Sequence, residues 1–99
     1  MKKLKILVLD CNPIIHIGLK SIFKNSMIFE VCSYLDTKNL LIETIVEEKI
    51  DLIISEIDLN GSSAQDILRI LKKNKIDIPV VIFTSLSNEI KSLKLLKKG

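Results

Sequence analysis

Ninety-nine residues, 47% of them apolar and 27% charged, point to one ordinary globular domain with a modest core, and nothing calls for a second. The formal charge of +3 comes from scattered lysines and the single arginine Arg69, with no basic stripe interleaved by aromatics, which argues against nucleic-acid binding by this chain alone. No apolar run approaches the roughly 18 residues of a membrane span, and Cys11 and Cys32 have neither CxxC nor metal spacing, so the expectation is a cytoplasmic protein with reduced thiols and no membrane contact.

In chain order, Lys3 to Asp10 reads as a central strand, because Ile6, Leu7, Val8 and Leu9 are contiguous and a strand buried on both faces needs no alternation. Asn12 is a good N-cap and Pro13 suits a first helical turn, after which Ile15, Leu19, Ile22 and Phe23 recur at helical spacing to about Ser26. His16 lies off that stripe and reads as an exposed polar residue. Ile28 to Leu35 alternates as a second strand, and Asp36 or Thr37 is positioned to cap a helix through Lys49 that buries Leu41, Ile45, Ile42 and Val46. Asp51 to Ile57 is a third strand, ending in Glu56 and Asp58 before the Asn60-Gly61 turn. Ser63 with Asp66 forms a capping box for a helix with an apolar face of Ile67, Leu68, Ile70 and Leu71, closed by lysines 72, 73 and 75. Ile78 to Ser85 is a fourth strand with Pro79 near its start. Ser87 then caps a last helix that buries Ile90, Leu93 and Leu96, wets Lys91, Lys94, Lys97 and Lys98, and meets a C-cap glycine at Gly99.

Strict strand–helix alternation with short connections implies an α/β fold: a doubly wound parallel sheet with right-handed crossovers and helices on both faces. In such sheets ligand sites gather at the C-terminal ends of the strands, where this chain places Asp10 and Glu56. Three glycines, none in GxGxxG or GxxxxGK[ST] order, argue against nucleotide binding, and no Ser-His-Asp or Cys-His arrangement suggests an enzyme.

From ILVLDCNP through DLIISEIDLNG to VVIFTS, the chain resembles the CheY-like receiver domain of bacterial two-component response regulators. The string DCNPIIHIGLKSIF is similar to the NarL/LuxR-type subgroup in its Pro and Gly-Leu spacing. The resemblance implies a flavodoxin-like sheet of order 2-1-3-4, truncated to about four βα units and without an output domain. It also implies a five-residue phosphorylation constellation. Asp10 matches the first of two acids that hold Mg²⁺, and Cys11 stands where the second, a direct ligand, is expected. Glu56 occupies the phosphoacceptor position, with Asp58 in the same acidic pocket. Thr84 matches the switch hydroxyl and Ser85 the small residue behind it. The lysine of a fifth strand has no counterpart.

A thiol is a poor Mg²⁺ ligand, so Mg²⁺ is expected to bind only weakly, through Asp10 and Glu56, or not at all, and no other cofactor is implied. Glutamate extends the acceptor by one C–C bond, roughly 1.5 Å, away from the geometry of in-line attack. The expectation is a pseudo-receiver that acts by protein interaction without phosphorylation. The alternatives are a working phosphorelay receiver phosphorylated at Glu56 by a histidine kinase, or the N-terminal fragment of a DNA-binding transcription regulator. Ending near the fourth helix would leave the fourth strand as a sheet edge, and self-association through that strand and the last helix, as in a homodimer, follows as an expectation.

Overall fold

A computed structural model of the chain describes residues 2–59, 62–83 and 94–96; for 58, 59, 62, 83 and 94–96 the description is of the backbone. Strand β1 (Leu4–Leu9) is central, and its Ile6, Leu7, Val8 and Leu9 are fully buried because both faces of the sheet are covered. Helix α1 (Pro13–Ile22) starts as expected: the Asn12 Oδ1 accepts the Ile14 N–H at 3.0 Å, and Pro13 sits where its missing donor costs nothing. It lays Leu19 and Phe23 against Ile6, Val8, Val31 and Ile54. Ile22 does not join them. It is 72% exposed, since Phe23 takes the line over the sheet as the helix ends.

Strand β2 (Phe29–Leu35) pairs with β1 in parallel, with one slip. Ile6 faces Val31 and Leu7 faces Ser33, so one extra residue is accommodated at Cys32, whose thiol donates to the Ile6 carbonyl at 3.7 Å. Helix α2 (Leu41–Glu48) begins later than its expected caps. The Thr37 hydroxyl instead accepts the Asn39 N–H at 3.2 Å, making a local turn, and Leu40 adopts φ 63° before the helix starts. Leu41 and Ile45 are buried as expected, but Val46 is 64% exposed, about 100° further round the helix than Ile45.

Strand β3 (Leu52–Glu56) lies between β1 and the fourth long strand. A two-residue antiparallel ribbon follows, β4 (Asp58–Leu59) with β5 (Ser62–Ser63), and leads into α3 (Ala64–Lys73). The capping box is present: the Ser63 Oγ accepts the Asp66 N–H, and the Asp66 carboxylate accepts the Ser63 N–H at 3.0 Å. Ala64, Ile67 and Leu71 of α3 join Leu41 and Ile45 of α2 over Leu7, Leu9 and Ile53. Helices therefore cover both faces, with α2 and α3 on one and α1 on the other.

Strand β6 (Val80–Phe83) completes a parallel sheet of order β2-β1-β3-β6, the expected 2-1-3-4 arrangement. Two expectations at this end are corrected. The fourth strand is not an edge, because β7 (Lys94–Leu96) pairs antiparallel with it, Val80 opposite Leu96 and Ile82 opposite Lys94. Residues 94–96 are consequently strand rather than part of a last helix. The unpaired N–H and C=O groups along β6 form a template that a short returning segment satisfies without a crossover. Ser87, Ile90, Lys91 and Leu93, and Lys97, Lys98 and Gly99, lie outside the described residues.

Candidate functional site

The buried polar side chains among the described residues are Asp10, Ser55 and Glu56, and all three stand at the C-terminal ends of adjacent strands. Burial of acids in one place is costly, so their surroundings carry the chemistry. The Asp10 main-chain N–H donates to the Leu35 carbonyl at 3.1 Å, and its Oδ1 accepts the Asn12 N–H at 2.8 Å. Burial holds the Asp10 carboxyl above its ordinary range; the Asn12 N–H opposes this, and the negative charge of Glu56 pushes it further up. The negative charge of Glu56 thus reaches the Asp10 carboxyl.

Glu56 is turned back on its own strand end. Its Oε1 accepts the N–H of Ile57 at 2.8 Å, while the Ser55 hydroxyl donates to the Glu56 carbonyl at 2.9 Å. Cys11, next to Asp10 in the chain, is exposed. For Asp58 the description is of the backbone, and Thr84 and Ser85 lie outside the described residues.

The pair His16 and Tyr34 adjoins the site, and the sequence did not point to it. His16 is half-buried, not exposed, and its ring stacks on Tyr34 with centroids 4.8 Å apart and planes at 28°. Its Nδ1 is buried with no hydrogen-bond partner. Burial pushes the Tyr34 phenol up, and the charges of Asp36, Asp10 and Cys11 act in the same direction. An aromatic on β2 reaches this end because the slip at Cys32 turns Val31 and Tyr34 to the same face.

Mg²⁺ requires about six hard oxygens in near-octahedral array. Among the described residues no three His, Cys, Asp or Glu side chains converge as a ligand set, and Asp10 and Glu56 each give an oxygen to a main-chain N–H. Of the described residues, Asp10 and Glu56 are the two buried carboxylates that could offer such an ion an oxygen.

Parallel order, helices on both faces and acids at the strand tips define a doubly wound α/β fold with its polar site at the strand ends. A family model described as the response regulator receiver domain matches residues 6–99, and the chain belongs to that family. Solved structures agree on the fold. The signal receiver domain of a Luxo repressor protein from Vibrio parahaemolyticus superposes with a TM-score of 0.73 at 24% identity, covering 84% of this chain and 62% of that one. The RcsB response regulator of Salmonella typhimurium gives 0.73 at 14% identity, covering 87% and 44%. The receiver domain of the response regulator NarL from Mycobacterium tuberculosis gives 0.76 at 15% identity, covering 89% and 71%. The chain therefore spans less than two thirds of the first two. No curated protein sequence matches it.

Proposed function

We propose that this receiver domain works by protein contact without phosphoryl transfer, with Glu56 holding the acceptor position in one fixed state. The observation that carries this reading is the Glu56 carboxylate folded onto the Ile57 N–H at 2.8 Å, which orients it toward its own strand end and adds to the misplacement its extra methylene brings for in-line attack on phosphorus. Cys11, in place of a hard ligand, supports it: phosphoryl transfer rests on positioning and metal electrostatics, and Mg²⁺ would be held weakly at best. On this reading the domain is a cytoplasmic, non-enzymatic module, without cofactor or nucleic acid of its own, and any transcriptional role passes through another domain or partner. Self-association through the fourth strand would require β7 to be displaced, or extended by a second strand.

Intact-mass spectrometry after incubation with an acyl-phosphate donor and Mg²⁺ tests the reading, with Glu56→Gln as control. We expect no adduct. A phosphoryl adduct on the natural chain that disappears in Glu56→Gln would make it a working phosphorelay receiver with a histidine kinase as partner.

A further inference from the structure

The opposite end of the molecule carries a concavity. Between the start of β1, the last turn of α1 and the start of β2 lies a cleft of about 240 Å³, lined chiefly by Lys3, Lys20, Phe23, Lys24, Phe29 and Glu30. Its floor is aromatic: Phe23 and Phe29 meet edge to face, with centroids 5.6 Å apart at 62°. Three lysines and one glutamate are among its lining residues. Leu4, Ile22, Met27 and Ile28, close in sequence to lining residues, are exposed, Met27 by 78%, and the Leu4 N–H bonds the Ile28 carbonyl at 2.7 Å. Apolar side chains gathered around a basic, aromatic cleft mark a contact surface more than a solvated one.

A complementary surface exists on the same chain. With Leu41 and Ile45 of α2 buried, Leu40, Glu43, Val46 and Glu47 form its outer side, two apolar and two acidic residues at helical spacing, with Lys49 at the C-cap. Because α2 and α1 lie on opposite faces of the sheet, one copy's α2 does not meet its own cleft. We propose that the cleft between α1 and β2 seats the outer side of α2 from a second copy of this chain, joining copies head to tail. Leu40 and Val46 supply the apolar contact, while Glu43 and Glu47 set the orientation against Lys20 and Lys24. The contact is heterologous and involves neither Asp10 nor Glu56, so it stands apart from the reading of the acceptor position. A bilayer of anionic lipid would also attract lysines beside apolar residues, but a concave cleft favours a helix over a flat surface.

Sedimentation velocity of the full chain over a range of concentrations tests this. Association should appear and weaken as salt rises, and Lys20→Glu with Lys24→Glu, or Glu43→Lys with Glu47→Lys, should each raise the dissociation constant at least about tenfold. Mixing the two reversed variants should restore association, because each then presents the partner surface the other needs; circular dichroism checks that both are folded. A chain that stays monomeric, association that neither reversal changes, or a mixture that fails to recover would overturn the proposal. So would a monomeric chain that binds phosphatidylserine vesicles through Lys20 and Lys24.

Discussion

Asp10 is buried beside a second acid, and that has a pH signature. Its carboxyl is raised from the ordinary 3.8, first by burial, so the folded protein holds that proton more tightly than the unfolded chain does. The contribution to stability is full below 3.8, falls as pH climbs from there through the raised value, and is constant above it. Asp10→Asn keeps an acceptor for the Asn12 N–H and removes the charge. Its urea midpoint should exceed that of the natural chain most at neutral pH, and a midpoint that tracks the natural chain at every pH would show that burial of this acid costs nothing. Asp66 has the opposite sign. The Ser63 N–H, then Arg69, hold it below the ordinary range, so its contribution is present at neutral pH and lost as pH falls through the lowered value. Ser63→Ala should cost about 1 kcal/mol of unfolding free energy, by loss of the cap on α3.

The elements differ in how much of the core they carry. Leu71 of α3 is fully buried, and Leu71→Ala should lower stability by about 2–5 kcal/mol, whereas Ile17→Ala on the exposed side of α1 should change it by less than about 0.5 kcal/mol. Denaturant unfolding of the two variants separates these cases. At the sheet end, Leu95→Pro should unpair β7 from β6 and speed deuterium exchange across Val80–Ile82; unchanged exchange would mean that β7 does not protect them. Strands β1 and β3, the Asn12 cap and the Ser63 capping box were legible in the sequence, because contiguous apolar runs and short capping motifs are local signals. Asp10 and Glu56 were legible as a pair because parallel strands bring their C-terminal ends together. The start of α2 was not, since Thr37 spends its hydroxyl on a turn. Strand β7 was not either: Leu93 and Leu96 have helical spacing, and only the free edge of β6 in three dimensions makes a strand the better use of 94–96. His16 and Tyr34 were hidden for a similar reason, their meeting depending on a slip between two strands.

At the scale of the whole molecule, the two ends of the sheet are chemically opposite. Buried acids sit where β1 and β3 finish, and lysines surround an aromatic cleft where β1 and β2 begin. Sites separated by the length of a strand and sharing no partner act additively. Glu56→Gln should therefore leave the sedimentation behaviour unchanged, and Lys20→Glu with Lys24→Glu should leave the response to an acyl-phosphate donor unchanged. Cross-effects in either measurement would reveal coupling through the sheet.

The slip between β1 and β2 bears on which changes of chain length this fold absorbs. A residue lost from the middle of a strand ordinarily turns everything beyond it to the wrong face. Here the extra residue has already been taken up, with Val31 and Tyr34 on the α1 side and Cys32 and Leu35 on the other. Deleting Ser33 would set Cys32 opposite Leu7 and leave Tyr34 and Leu35 on their present faces, so this strand interior tolerates a one-residue deletion of the kind usually confined to loops.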